Sequence, residues 1–172
     1  KTIFWAYILL ACLFTACQDS SKLIVSDLQC EYLNAPLAID NTTPHFGWKM
    51  TCGQNGTSSS AYQILVATEL DKLNEEEADL WNSGKVSSDT SIGIAYGGKA
   101  LTSRTQAYWK VRVWNQADVP GEWSKPSSFG IGMLSENDWS AESRFIGVEQ
   151  ADEKSQSAPL LRKSFTYEPS KG

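Results

Sequence analysis

Short stretches in which apolar and polar residues alternate recur along this chain, and turn-forming residues separate them. In "HFGWKMT", for example, Phe46, Trp48 and Met50 would share one face of a strand, because successive side chains of a strand point to opposite sides. The same period of two runs through "AYQILVAT", "SIGIAY", "AYWKVRVWNQ" and "SSFGIGM". The residues expected to point inward are Phe46, Trp48, Met50, Tyr62, Ile64, Val66, Ile92, Ile94, Tyr96, Trp109, Val111, Val113, Phe129 and Ile131.

These stretches, together with "LIVSDLQCEYL", make six strand candidates, and "LWNSGKV" is a short seventh. Turn-rich segments such as "GQNGTSSS" connect them, and no stretch shows a long amphipathic helix. Strands with one buried and one solvated face are what two packed antiparallel sheets require. The sequence therefore predicts an all-β sandwich over residues 23–134, with Trp48 and Trp109 in its core.

Two further tryptophans, Trp114 and Trp123, fall outside that inward set. Trp114 lies on the polar face of its strand, and Trp123 lies in the turn that follows. Trp123 is expected to fold back over Arg112 or Lys110, because a cation over an aromatic ring is attracted by the ring's quadrupole. The alternative is that Trp114 and Trp123 form a stacking platform for carbohydrate, although nothing else nearby supplies a concave polar site.

The N-terminus begins with Lys1 and continues as an unbroken apolar run from Ile3 to Ala16. This run is shorter than the ~20 residues that span a bilayer, but it fits the core of a signal peptide over residues 1–16. The ending "FTAC" resembles a bacterial lipobox, so we expect cleavage before Cys17, lipidation of its thiol, and a tether over residues 17–22. The protein would then be an exported lipoprotein, anchored at the periplasmic or cell-surface side of a membrane. An ordinary secretory signal is the alternative.

The charge pattern argues against a nucleic-acid partner. The net charge is -5 and no run of basic residues exists, whereas affinity for nucleic acid rests on clustered cations. The acidic run "NEEEAD" is expected to be a solvated loop or a short helical turn. The only histidine, His45, has no Cys, Asp or Glu at metal-ligand spacing, and no catalytic constellation or cofactor motif is present. We therefore expect no metal, no cofactor and no catalytic residue in this chain.

Cys30 and Cys52 are the cysteines inside the predicted sandwich. Export would permit a disulfide. If the surrounding strands pair as a hairpin centred near residue 38, however, Cys52 faces the region of Leu23 and Ile24 instead of Cys30. Buried thiols are therefore the default expectation, and a bridge is the alternative.

The run "YWKVRVWNQADVPGEWSKPSSF" resembles the last hairpin of a fibronectin type III domain. Those domains carry an alternating aromatic-x-Val-x-Val strand, an Asn- and Gly-containing turn, and a Ser-Pro-Ser element. This resemblance implies an immunoglobulin-like, fibronectin type III-like sandwich. Trp109 occupies the position where such domains place an inward tyrosine, and Tyr108 has the wrong parity to replace it in the usual tyrosine-corner hydrogen bond.

The ordered motifs between residues 28 and 147, from "LQCEYLNAPLAIDNTTPHFGWKM" to "GEWSKPSSFGIGMLSENDWSAESRFIG", resemble the N-terminal region of bacterial α-L-rhamnosidases of glycoside hydrolase family 78. This resemblance implies a parent enzyme that releases terminal α-L-rhamnose from glycans with inversion. Residues 135–157 would be a linker, and residues 158–172 would open a truncated second β module that leads to the downstream domains. The family's catalytic carboxylates lie far downstream, so no position here corresponds to them.

The chain begins with Lys and ends with a Gly that closes no element, which also predicts a piece of a longer protein. The expected role of the piece is a non-catalytic spacer and packing module. The alternative is a stand-alone surface lipoprotein whose sandwich binds glycan through Trp114 and Trp123.

Overall fold

The computed structural model describes residues 22–53, 56–144, 162–164 and 166. Within these residues eight strands form, and Glu136–Asp138 forms a turn of 3-10 helix. The strands are β1 (Ile24–Cys30), β2 (His45–Thr51), β3 (Ser59–Ala67), β4 (Trp81–Asn82), β5 (Val86–Ser87), β6 (Ile94–Ala95), β7 (Gln106–Asn115) and β8 (Ser127–Gly130). In this described part of the chain, no helix has the length and apolar character needed to cross a bilayer.

The chain divides into two compact units, Lys1–Asp138 and Trp139–Gly172. All eight strands belong to the first unit. In the second, the backbone N–H of Ser143 donates to the carbonyl of Ser140 at 2.9 Å. The predicted signal peptide, Cys17 and all of its tether except Lys22 lie outside the described residues, as does most of the segment predicted to open a second β module.

The strands form two antiparallel sheets. One sheet has the order β1-β2-β6; the other has the order β4-β3-β7-β8, with β5 also paired to β3. The predicted all-β, immunoglobulin-like sandwich is thereby confirmed. The "LWNSGKV" stretch holds two short strands instead of one, because Gly84, at φ +60°, turns the chain between them.

The core between the sheets consists largely of the residues that the alternation predicts. Trp48 and Trp109 are 3% and 0% exposed, so both predictions of a core tryptophan are confirmed. The rings of Phe46 and Trp109 lie 4.4 Å apart between centroids, which joins the two sheets at the centre. Among the described residues, the indole nitrogens of Trp48 and Trp109 are buried without a hydrogen-bond partner.

Strand β3 is buried on both faces, which the alternation does not predict. Ile64 and Val66 face the core as expected, and Leu65 and Ala67 on the opposite face are also fully buried. Leu73, which is 4% exposed, packs against that opposite face together with part of the acidic segment that follows β3. The outer face of β3 is therefore a second, smaller apolar cluster.

The inward orientation predicted for Ile92 is wrong, since this side chain is 64% exposed. The neighbouring Gly93 adopts φ +73°, outside the extended region, so the two-residue period does not run through it. Strand β6 begins only at Ile94, which is buried together with Tyr96.

The pairing of β1 with β2 places the two cysteines apart, as the sequence predicts. Ile24 lies opposite Thr51, and Cys30 lies opposite Phe46. No disulfide joins Cys30 to Cys52. Cys30 is buried, whereas Cys52 is only partly buried, so the expectation of burial is confirmed for Cys30 alone.

Candidate functional site

A row of alternating cations and aromatic rings lies over the outer face of β7, and we call it the cation–aromatic ladder. Strand β7 supplies Lys110, Arg112 and Trp114, the turn after it supplies Trp123, and the chain before β5 supplies Lys85. The Lys110 Nζ lies 4.9 Å from the centre of the Trp123 ring, and the Arg112 guanidinium carbon lies 4.6 Å from the same centre. The prediction that Trp123 folds back over these cations is confirmed. On the other side, the Arg112 guanidinium carbon and the Lys85 Nζ lie 4.9 Å and 5.1 Å from the centre of the Trp114 ring.

Arg112 is held at the centre of the ladder by polar contacts as well. Its Nε and Nη2 atoms donate to Gln63 Oε1 at 3.1 and 2.8 Å, and Nη2 also forms an ion pair with Glu75 at 2.8 Å. Gln63 is only 4% exposed and donates in turn to Asn82 Oδ1 at 2.9 Å. Since the guanidinium is already bonded and stacked within the domain, the ladder holds β7, the turn after it and the acidic segment together.

Trp114 lies on the predicted outer face but is only 7% exposed. Its backbone forms an isolated bridge with Pro120, and the side chains of Lys85 and Arg112 lie over its ring. A stacking platform needs an open ring face, so the geometry favours a structural role. Carbohydrate contact through Trp114 and Trp123 stays a prediction.

Lys110 shows the electrostatic effect of this packing. Partial burial lowers the pKa of its ammonium, and the neighbouring Arg112 lowers it further, while Glu75 acts in the opposite direction. The net result is a pKa below the ordinary value, because the charged form loses hydration and lies beside a second cation.

The acidic segment "NEEEAD" is folded onto the sheet by specific contacts. Asn74 Oδ1 accepts from the backbone N–H groups of Glu76 and Glu77 at 3.1 and 3.0 Å, which forms a tight turn. Asp79 accepts from the backbone N–H and the hydroxyl of Thr68 at 2.8 and 2.6 Å. Glu75, Glu76 and Glu77 are exposed in a turn, as the sequence predicts, and Glu75 in addition pairs with Arg112 of the ladder, which no local signal in the sequence indicates.

The two-residue turn after β1 is a feature that sequence reasoning missed. Cys30 and Leu33 exchange two backbone hydrogen bonds of 3.0 Å, with Glu31 and Tyr32 between them at φ +50° and +61°. A turn of this kind favours Asn-Gly, because both central residues are left-handed. Glu-Tyr is not a turn signal, so nothing in the residue types points to it.

The side chain of Glu31 stabilises this turn from within the domain. Its Oε1 accepts from the Asn41 amide at 2.9 Å and from the His45 backbone N–H at 2.8 Å, and it lies 3.1 Å from His45 Nδ1. Partial burial raises the pKa of Glu31, but the contacts with His45 and Asn41 outweigh that effect and leave the pKa below its usual value. His45 is thus a hydrogen-bonding partner of Glu31.

Among the residues that the structure describes, no three His, Cys, Asp or Glu side chains are grouped to bind a metal ion. Cys17, the predicted lipidation site, lies outside the described residues.

Comparison with known proteins gives one family. The model of the family described as "Rha78A-like, N-terminal immunoglobulin domain" matches residues 25–135. An α-L-rhamnosidase of Formosa agariphila is 42% identical over 141 residues, which cover 80% of this chain and 15% of that protein. An α-L-rhamnosidase of Streptomyces avermitilis is 39% identical over 121 residues, which cover 70% of this chain and 12% of that protein.

Solved structures agree with these relatives. The crystal structure of the Streptomyces avermitilis α-L-rhamnosidase complexed with L-rhamnose matches with a TM-score of 0.66 at 39% identity, over 69% of this chain and 11% of that one. The α-L-rhamnosidase from Dictyoglumus thermophilum matches with a TM-score of 0.65 at 33% identity, over 70% of this chain and 14% of that one. The chain thus spans a small fraction of the length of the proteins that it matches.

Proposed function

The chain belongs to the family of Rha78A-like N-terminal immunoglobulin domains, and from that premise we propose that it is the non-catalytic N-terminal module of an α-L-rhamnosidase. The parent releases terminal α-L-rhamnose from glycans or glycosides, and this module acts as a spacer and packing domain. The observation that carries the proposal is the family match over residues 25–135, together with 42% identity to a rhamnosidase of which this chain covers 15%.

The proposed chemistry of the parent resides in the downstream domains. An inverting glycosidase uses a carboxylic acid that protonates the leaving group and a carboxylate that activates water, ~6.5–9.5 Å apart. We assign neither role to a residue of this chain.

The anchoring of the C-terminal end of the sandwich supports a packing role. Asp138 Oδ2 accepts from the Ser103 hydroxyl at 2.5 Å and from the backbone N–H groups of Leu134 and Ser135 at 2.9 and 2.8 Å. The Ser103 and Ser135 hydrogen bonds are the main reason that the pKa of Asp138 lies below its ordinary value. The last residue of the unit is therefore fastened to the loop before β7, as suits a module that is followed by further domains.

The module is also proposed to carry the membrane anchor, through a lipid on Cys17. Mass spectrometry of the mature protein should find a diacylated N-terminal Cys17, and Cys17→Ser should release the protein from membranes. An unmodified N-terminus with cleavage elsewhere would contradict the anchor and leave the rhamnosidase proposal intact.

The main proposal is tested by reading the gene beyond the codon for Gly172 and expressing the complete protein. The complete protein should release rhamnose from p-nitrophenyl α-L-rhamnopyranoside, whereas the 172-residue chain alone should not. The first product seen by proton NMR should have the inverted anomeric configuration. A stop codon soon after Gly172, or release of rhamnose by the 172-residue chain alone, would refute the proposal.

A further inference from the structure

Tyr32 occupies a position at which the fold gains little from an aromatic residue. Its side chain is 71% exposed, and its backbone has φ +61° in the two-residue turn after β1. A left-handed conformation is unfavourable for a residue with a Cβ, and glycine would adopt it without strain. Glu31, its neighbour in the turn, is used inside the domain, whereas the Tyr32 ring is left to solvent. A strained, exposed aromatic residue is better explained by a contact outside the domain than by folding.

Tyr32 lines a concave groove on the outer face of the three-stranded sheet, which we call the Tyr32 groove. Its lining includes Gln29, Tyr32, His45, Gly47, Lys49 and Ile92, and its volume is about 150 Å³. Gly47 lies opposite Gln29 and contributes no side chain, so the floor of the groove is backbone. A Cβ at Gly47 would meet the Ser91 carbonyl oxygen at 3.5 Å and the Ile92 Cα at 3.8 Å, so the chain around Ile92 closes one side.

Apolar and polar groups are combined in this groove. Ile92 is 64% exposed and faces no core, which leaves an aliphatic surface available near the Tyr32 ring. Within the described part of the chain, no hydrogen bond or ion pair engages the Gln29 side-chain amide. His45 contacts Glu31 through Nδ1, which leaves Nε2 for another partner. Small-molecule sites have this composition: apolar contact surface with a few polar groups that fix orientation.

We propose that the Tyr32 groove binds a single pyranose unit of a glycan. The C–H face of the sugar would lie against the negative face of the Tyr32 ring, and its hydroxyl groups would bond to Gln29 and His45. Ile92 would contact an apolar edge of the sugar, such as the methyl group of a 6-deoxyhexose. The choice of L-rhamnose as the first probe rests on the proposed function. The inference that the groove binds a sugar does not.

The size of the groove favours a sugar over a protein partner. A standard protein interface buries ~800 Å² on each side, and sites for drug-sized molecules have volumes of ~300–1,000 Å³. At about 150 Å³ the groove is smaller than such sites, so it has room for no more than one small ring, part of which stays in solvent. Binding should accordingly be weak, with a Kd on the order of 1–10 mM for a monosaccharide.

The test is a proton–nitrogen NMR titration of the 172-residue chain with L-rhamnose, D-glucose, D-galactose and their methyl glycosides. At least one of these sugars should give saturable shifts centred on the backbone amides of Tyr32, Gly47 and Ile92. Saturable shifts elsewhere, or none with any sugar, would overturn the proposal. Shifts that depend on protein concentration without added sugar would assign the groove to self-association and would also overturn it.

Matched variants separate binding from folding. Tyr32→Gly should weaken binding by at least about tenfold, because the ring supplies most of the apolar contact, and should raise Tm by relieving the left-handed turn. Tyr32→Phe should retain binding. Leu37→Ala changes an 88% exposed leucine that does not line the groove, so this variant should bind as the unmodified chain does. Unchanged affinity in Tyr32→Gly would refute the site.

The complete protein separates this inference from the proposed function. If it releases rhamnose but binds no sugar at the groove, this inference alone is overturned. If it is inactive and the groove is occupied, only the proposed function is overturned.

Discussion

The guanidinium carbon of Arg112 lies 4.6 Å from the centre of the Trp123 ring, so a cation on strand β7 fastens the turn that follows that strand. Arg112→Ala should lower the free energy of unfolding by about 2–3 kcal/mol, measured by urea denaturation. About 0.5–2 kcal/mol comes from the lost cation–aromatic contacts, and the buried Gln63 oxygen also loses both of its donors.

Two further variants examine the same ladder. Arg112→Lys should recover only part of the loss, because an ammonium cannot reproduce the planar fork. Lys85→Ala, at the exposed end, should cost no more than about 1 kcal/mol. Equal effects of Arg112→Ala and Lys85→Ala would contradict the central role of Arg112.

The unpaired indole nitrogen of Trp109 leads to a second prediction. Trp109→Ala should cost roughly 3–5 kcal/mol, because this fully buried side chain joins the two sheets. Trp109→Phe should cost only about 1–2 kcal/mol, since it removes volume but breaks no hydrogen bond among the described residues. Thermal and urea unfolding of both variants would check this, and a phenylalanine variant as damaging as the alanine variant would indicate a hidden partner for the nitrogen.

Acid unfolding should involve Asp79. Partial burial raises the pKa of its carboxyl, but the hydrogen bonds from Thr68 and the nearby charge of Lys72 outweigh this and hold the pKa below 3.8. A lowered folded pKa means that the stabilisation is complete above the unfolded value of 3.8 and is lost as the pH falls through the folded value.

The Tm of Asp79→Asn, measured from pH 6 to pH 2.5, should therefore fall less steeply below pH ~4 than the Tm of the unmodified chain. Asp71→Asn, three residues before the acidic segment, is the control and should follow the curve of the unmodified chain. Identical slopes for all three proteins would show that Asp79 does not contribute to the acid transition.

The thiol of Cys30 should be unreactive in the folded protein. Burial, together with the negative charge of Glu31, raises its pKa from 9.0 to about 12. Because the thiolate is the nucleophile, alkylation of Cys30 by iodoacetamide at pH 8 should require unfolding, and partly exposed Cys52 should react first. Peptide mass spectrometry over a time course would check the order in which the two cysteines are labelled, and rapid labelling of Cys30 would contradict its burial.

The raised pKa of Cys30 also affects stability at high pH. This group favours the folded state below pH 9 and loses that contribution as the pH rises toward 12.

Strand parity explains why much of the sandwich could be predicted from the sequence. The faces of β2 and β7 depend on a period of two that local geometry imposes, so Trp48, Trp109 and Val111 lie inside as expected. The contact of Trp123 with Arg112 could also be predicted, because only a short turn separates the two residues in the chain.

The errors arise where tertiary contacts or unusual backbone angles override this local rule. Ile92 is exposed because Gly93 leaves the extended region. The outer face of β3 is buried because the segment that follows this strand folds back over it, together with Trp123. The left-handed turn at Glu31 and Tyr32 uses residues that rarely adopt it, so the Tyr32 groove has no signature in the sequence.

The double burial of β3 bears on how freely this sequence can vary. In β2, exposed positions such as Lys49 alternate with buried ones, so about every second residue can change without disturbing the core. From Gln63 to Ala67 in β3 no position offers that freedom, because Gln63 is buried in hydrogen bonds with Arg112 and Asn82 and the other four side chains are enclosed by one apolar layer or the other. A saturation mutagenesis profile of this module should show tolerant and intolerant positions in alternation along β2, and a continuous run of intolerant positions from Gln63 to Ala67 in β3.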